Sequence, residues 1–133
     1  MQDAAAAVNE LLAYASEQAG SLPAAECEVL YGRAGLLHAV LFAARACTGM
    51  QVDCAQLVHR LVHDIVHEGL RCGKELAQSG AVVPEPGFMH QWHGEEYLGA
   101  AHGTTGILQV RRDFLVMHHV PEKTCRCKCR SPW

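Results

Sequence analysis

The sequence predicts an all-α fold, and three observations carry that prediction. A run from Arg33 to about Thr48 is apolar on nearly every face, the mark of an interior helix. A second run, from Asp53 to about Gln78, repeats Leu57/Val58, Leu61/Val62, Ile65/Val66 and Leu70 at helical spacing. Arg60, Asp64, Glu68, Arg71 and Lys74 fill its other side, so this helix is amphipathic. Two Gly-x-x-Gly pairs, at 32–35 and 103–106, each lead into an apolar run, as a tight loop turning into a packed helix does. With 133 residues, half of them hydrophobic, the chain has the size of one domain with a modest core and is not disordered.

Taken in order, residues 3–18 read as a first helix. They are alanine-rich, with Val8, Leu11, Leu12 and Ala15 at helical spacing, Asp3 as N-cap and Gly20 as C-cap before the break at Ser21-Leu22-Pro23. Cys27 reads as a small, partly buried hydrophobe. In the helix at 33–48, His38 reads as a satisfied core histidine. Arg33, at the mouth of that helix, reaches either a cavity, or loop carbonyls or a nearby acid. Gly49 ends this helix and Asp53 caps the next. The two are expected to run antiparallel, packed along Leu57, Leu61, Ile65 and the Leu37/Leu41 side. Pro84-Glu85-Pro86-Gly87 forbids regular structure, and a further helix is expected from near Thr104. The apolar pattern breaks from Leu108, where Arg111-Arg112-Asp113 intrudes, and residues 119–133 are expected to be irregular.

The stretch from Trp92 to Leu108 concentrates chemistry. Seventeen positions hold a tryptophan, two histidines, the adjacent Glu95 and Glu96, and four glycines. His102 stands at the mouth of the third apolar run, where a titratable imidazole can face a cavity. Trp92 and Tyr97 are expected to pack beneath the loop. Glu95 and Glu96 read as a solvated pair capping or orienting the helix, since adjacent side chains seldom point together.

The strings Leu30-Tyr-Gly-Arg-Ala-Gly35 and Trp92-His-Gly-Glu-Glu-Tyr-Leu-Gly-Ala-Ala-His-Gly103 resemble the lanthionine synthetase C-like (LanC-like) family, in its eukaryotic form, over roughly residues 22–108. The resemblance implies a partial α/α toroid, a fragment of a seven-hairpin barrel of the six-hairpin-glycosidase-like superfamily. In such barrels Gly-x-x-Gly turns introduce the inner helices. It divides the chain into a partial LanC-like domain at 1–110 and a divergent, basic, Cys-rich tail at 111–133. Two repeats out of seven are expected to be marginally stable alone.

The function implied by the resemblance is zinc-dependent addition of a thiol, from glutathione or a peptide cysteine, to dehydroamino acids in peptides. The family's zinc is held by two cysteines and a histidine, one pair in a Cys-His-Gly motif that this sequence lacks. His102 matches the acid/base histidine of the family's Ala-His-Gly motif. Arg33, Trp92 and Tyr97 are candidate substrate-binding residues, and no metal ligand is assigned. Two functions are therefore carried: a truncated form of the enzyme, inactive alone, or a non-enzymatic fragment that binds glutathione or a partner.

Charge and cysteine usage bound the rest. Residues 111–133 carry six of the eleven Lys/Arg against only Asp113 and Glu122, a local +4 against −7 for the remainder. No recognition module accompanies this charge, so nucleic acid is not expected as a partner. The chain opens without a basic, apolar leader and has no apolar run of the ~20 residues that span a bilayer. A cytoplasmic protein with reduced thiols follows as the expectation, with peripheral contact to the plasma membrane allowed by the resemblance. His59, His63 and His67 form an i, i+4, i+8 ladder, of which two neighbours can share a metal. In the tail, Cys125 and Cys129 can converge on a soft metal while Cys127 points away.

Overall fold

The computed structural model describes residues 2–47, 53–85 and 87–118. Among them are four α-helices: α1 (Gln2–Ser21), α2 (Arg33–Ala46), α3 (Ala55–Gln78) and α4 (Thr104–His118). The described residues include no strand, only an isolated bridge between Trp92 and Glu95. α2 is the central element and packs against the other three. Leu37, Val40 and Leu41 of α2 meet Leu61, Ile65 and Val58 of α3, Ala15 and Ala19 of α1, and Ile107 and Val110 of α4 in one core. Each fully buried Leu, Ile or Val contributes on the order of 1.5–3 kcal/mol. Arg33, at the start of α2, pairs with Asp64 in the middle of α3.

Several expectations need correction. His38 is exposed, and so is Phe42 one turn later, at 66%. α2 is thus buried along the Leu37/Val40/Leu41 side and open along the 38/42 side, because its three described neighbours all sit on the former. Gly20 lies inside α1, which runs on to Ser21. Asp53 does not cap α3: the N-cap is Cys54, with no side-chain cap hydrogen bond. α4 runs from Thr104 past the point where the apolar pattern breaks, through Arg111 and Arg112, to His118. Asp3 as a side-chain cap, Gly49 as a helix end, and the irregular 119–133 segment with its Cys125, Cys127 and Cys129 lie outside what is described.

The two Gly-x-x-Gly pairs act through close approach rather than unusual φ. Positive φ among the described glycines occurs at Gly80, Gly87 and Gly94 only. Before α2, the chain folds back so that Glu26, Cys27 and Glu28 carbonyls accept from the amides of Arg33, Ala34 and Gly35 at 3.0, 3.3 and 3.4 Å. Before α4, the Tyr97, Leu98 and Gly99 carbonyls accept from Thr104, Thr105 and Gly106 at 2.9, 3.4 and 3.4 Å, the same seven-residue offset. A helix start leaves four amides without intrahelical partners, and here the preceding loop supplies three. Room for it exists only without side chains. A Cβ on Gly35 would lie 2.2 Å from the Val29 oxygen, and one on Gly106 would lie 1.9 Å from the Ala100 oxygen.

α3 carries a second close approach that the sequence reading did not single out. Gly69 and Gly73, one turn apart, receive the segment 87–90, with the Met89 amide donating to the Gly69 carbonyl at 3.1 Å. Phe88 and His90 sit over Gly69, their rings 4.9 Å apart and edge to face. His90 is 3% exposed, and neither ring nitrogen has a hydrogen-bond partner of good geometry; the Ile65 backbone is the polar group that approaches it. Burial pushes its imidazole down to about 4, against the opposing pull of the nearby Glu68 carboxylate. Glu68 is itself buried and held ionised by Arg71, which donates to both carboxylate oxygens at 2.6 and 2.8 Å.

Two outcomes follow. Gly106→Ala should destabilise the chain by about 1–3 kcal/mol through overpacking against backbone, whereas Gly99→Ala, with nothing in reach of the added methyl, should stay within about 0.5 kcal/mol. Urea midpoints of the two variants check this, and equal midpoints would refute the close-approach account. The second concerns pH. A folded-state value below the ordinary 6.5 means that the unfolded chain takes up a proton the folded chain refuses. Stability present above pH 6.5 is therefore lost as the pH falls toward about 4, on the order of 3 kcal/mol for this group. His90→Leu should flatten the fall between pH 7 and pH 4.5; an unchanged slope would assign the acid sensitivity elsewhere.

Candidate functional site

The two helix mouths stand side by side. The amide of Val29, in the loop before α2, donates to the carbonyl of Ala101, in the loop before α4, at 3.1 Å. This contact carries Glu28 to His102 across 74 positions of sequence, and His102 Nδ1 lies 2.8 Å from Glu28 Oε2. Glu28 is 2% exposed. Its Oε2 also accepts from the Leu30 amide at 2.8 Å, and its Oε1 accepts from the Tyr31 amide. With backbone donors on both oxygens, the carboxylate is an acceptor throughout. His102 Nδ1 must then carry the hydrogen, which fixes the neutral ring in the Nδ1–H tautomer and leaves Nε2 for chemistry. The ring keeps 26% of its surface open to solvent.

An aromatic cover completes the site. Trp92 stacks on the His102 ring, with centroids 3.9 Å apart and planes 5° from parallel. Tyr97 meets Trp92 and His102 edge on, at 5.9 and 6.2 Å. The turn from Trp92 to Glu95 holds the indole there. Its two backbone bonds are 2.9 and 3.1 Å, and its central residues, His93 and Gly94, have φ of 52° and 81°, the type I′ signature. Histidine is among the residues that enter the left-handed region most readily, and Gly94 does so without steric cost.

Of the four residues expected at the site, Trp92, Tyr97 and His102 come together and Arg33 does not. Arg33 is 6% exposed and serves the loop beneath. Its Nη2 donates to the Leu22 carbonyl at 2.8 Å, its Nη1 to Pro23 at 2.5 Å with longer approaches to Ala24 and Glu26, and its Nε faces Asp64 at 3.7 Å. Of the two roles open to it, the carbonyls and the nearby acid take up the guanidinium. Glu95 and Glu96 do not cap α4, whose first amides are held by loop carbonyls. Glu95 closes the Trp92 turn through its backbone, and Glu96 accepts from Gln91 Nε2 at 3.2 Å.

Glu28 is the site residue that sequence reasoning missed. It belongs to no apolar period and to no spacing that marks a catalytic pair, and its partner is 74 residues away. Its neighbour Cys27 is buried, and desolvation, partly offset by Arg33, pushes the thiol up to about 12. Cys27, Cys47, Cys54 and Cys72 form no disulfide. No group of three His, Cys, Asp or Glu able to hold a metal ion occurs among the described residues. A pocket of about 410 Å³ opens between Leu12 and Ser16 of α1 and Cys54, Leu57 and Arg60 near the start of α3, and none of the expected site residues lines it.

The family described as lanthionine synthetase C-like protein matches residues 2–112, a wider span than the 22–108 over which the motifs resemble it. A relative from Danio rerio, named Glutathione S-transferase LANCL1, is 32% identical over 80 residues, covering 60% of this chain. Those 80 residues are 18% of that relative, so the chain spans only a small part of it. No solved structure matches.

The geometry predicts the ¹⁵N shifts of His102. In its neutral form the ring should show a pyrrole-like Nδ1 and a pyridine-like Nε2. Glu28→Gln should erase that preference and cost about 1–3 kcal/mol, since one amide oxygen cannot serve three donors. A His102 ring with the opposite tautomer would remove the pairing as drawn.

Proposed function

The chain belongs to the lanthionine synthetase C-like family, and we propose that it carries the proton-transfer part of that family's thiol-addition site without the metal part. The observation that supports this is His102, tied through Nδ1 to the buried Glu28 and covered by Trp92. When a thiolate adds to the β-carbon of a dehydroalanine or dehydrobutyrine residue, the carbon–carbon π pair moves onto the carbonyl as an enolate. The α-carbon then needs a proton. In its imidazolium form His102 offers one from Nε2, while the Glu28 carboxylate holds Nδ1 and so orients the ring. Such general acid catalysis is worth about 10²–10⁴-fold. Trp92 and Tyr97 are the groups that would border the peptide or thiol beside the ring, and Arg33 braces the loop from below.

In the family a bound zinc supplies the thiolate by lowering the thiol pKa. The donors described here do not fit that group. Cys27, Cys54 and Cys72 are buried, Cys27 is driven away from the thiolate, and no three donors converge. The proposed activity of the chain alone is therefore none. The second reading, a fragment that binds glutathione or a partner protein, is favoured by the name of the Danio rerio relative and by the exposed Tyr31, Leu98 and Tyr97 near the two helix mouths. No described helix is long and apolar enough to cross a membrane. A cytoplasmic location, with the basic residues beyond Arg111 touching the plasma membrane, belongs to the same proposal.

Incubating the full chain with glutathione and a dehydroalanine peptide, followed by mass spectrometry, should give adduct at the uncatalysed rate. The purified chain should hold no stoichiometric zinc at a Cys-Cys-His site. One bound zinc together with a rate that His102→Ala abolishes would overturn the reading. Calorimetry with glutathione alone tests the second reading, which expects binding that Trp92→Ala weakens.

A further inference from the structure

We propose that His63 and His67 form a two-nitrogen chelate for a borderline divalent transition metal, such as Ni²⁺, Cu²⁺ or Zn²⁺, on the outer face of α3. They are four apart in His63-Asp64-Ile65-Val66-His67, and their rings lie nearly parallel, 12° between planes and 6.0 Å between centroids. Both are exposed, the His63 side chain at 76%, whereas Leu61 and Ile65 bury the opposite side of the helix. The pair therefore faces outward and gives up no packing to bind an ion.

Asp64 is the second, independent observation. Its Oδ1 lies 3.2 Å from His63 Nδ1, while its Oδ2 faces the Arg33 and Arg60 guanidinium groups at 3.7 and 3.9 Å. With its other oxygen turned to two guanidinium groups, the carboxylate is placed to accept from His63 Nδ1, which leaves Nε2 with its lone pair. This is the carboxylate–histidine arrangement that orients metal-binding imidazoles. Metal–nitrogen bonds of about 2.0–2.1 Å require the two nitrogens to come about 3–4 Å apart. Rotation of two exposed side chains one turn apart provides that.

Imidazole selects nickel, copper and zinc over magnesium and calcium, which prefer oxygen. The His-Asp-x-x-His spacing is that of helix-borne His-Glu-x-x-His zinc sites with the acid shortened by one carbon. Those sites draw a further ligand from another element, and no third donor converges here among the described residues. The bound ion keeps water on its other positions, so this is a site for capture and exchange, not a closed structural centre. It uses none of the residues of the His102 site and stands or falls apart from that chemistry.

Calorimetric titration of the full chain with Ni²⁺, which thiols do not reduce, tests the site. His63→Ala should remove one equivalent, His67→Ala should weaken the same equivalent at least tenfold, and His59→Ala should leave it in place. Any nickel held by the cysteines at 125–129 is common to the parent and the variants and cancels. Mg²⁺ should give no heat, and Ni²⁺ should broaden the His63 and His67 ring resonances first. Equal stoichiometry and affinity in the parent and His63→Ala, an effect of His59→Ala in place of His67→Ala, or no nickel bound at all would each overturn the proposal. Circular dichroism confirms that the variants, altered only at exposed positions, are folded.

Discussion

The structure depends on three loop carbonyls lying against the first three free amides of a helix, and it uses that arrangement twice. An unsatisfied buried amide costs about 1–3 kcal/mol, so a helix start pressed into a core must find acceptors. Side-chain caps are the usual answer, but Gly32, which precedes α2, has no side chain to offer. The backbone of residues 26–28 and 97–99 provides the acceptors, and the glycines at 32, 35, 103 and 106 leave it the space. These glycines are required for their missing Cβ atoms, not for φ.

That arrangement also builds the site. A loop held by its carbonyls cannot turn freely, so its remaining groups point in fixed directions. Glu28 uses its carbonyl on Gly35, its carboxylate on the amides of Leu30 and Tyr31, and the same carboxylate on His102. His102 precedes Gly103 and inherits its position from the equivalent loop. The Val29–Ala101 bond, and the approach of Val29 to Gly106, keep the two mouths in register. Rigidity in the helix starts thus becomes orientation of an imidazole, and the Trp92 turn covers the ring from the other side.

Much of this was legible in the sequence, and what was not has physical reasons. The 3.6-residue period of Leu57, Leu61 and Ile65 placed α3 and its buried face, since a long amphipathic pattern has one low-energy solution. Apolar content alone misassigned α2: His38 and Phe42 are on its open side, and a helix rich in alanine and leucine does not reveal which face its neighbours cover. Arg111 and Arg112 interrupt the apolar pattern without ending the helix, because arginine is a good helix former and its charged head can remain in water. His102, Trp92 and Tyr97 were found from local motifs. Glu28 was not, because its role exists only through a contact made 74 residues away. His90 was likewise opaque, since its burial depends on a glycine groove in a different element.

The electrostatics divide the labour of the site. Glu28 is committed to three donors, one of them His102 Nδ1, so its part is to orient the imidazole. His102 can supply at most the 10²–10⁴-fold of a general acid, about 3–5 kcal/mol at 1.36 kcal/mol per tenfold. Making and placing a thiolate is a larger task. An ordinary thiol, with pKa near 8.5, is only a few per cent ionised at neutral pH, and placement alone can contribute roughly 7–11 kcal/mol. Cys27, next to Glu28 in sequence, is the thiol closest to hand, yet its burial takes it further from the thiolate. An oriented acid without an activated nucleophile leaves the larger part of the barrier untouched, which is why the proposed role of this chain is binding or incomplete chemistry and not turnover.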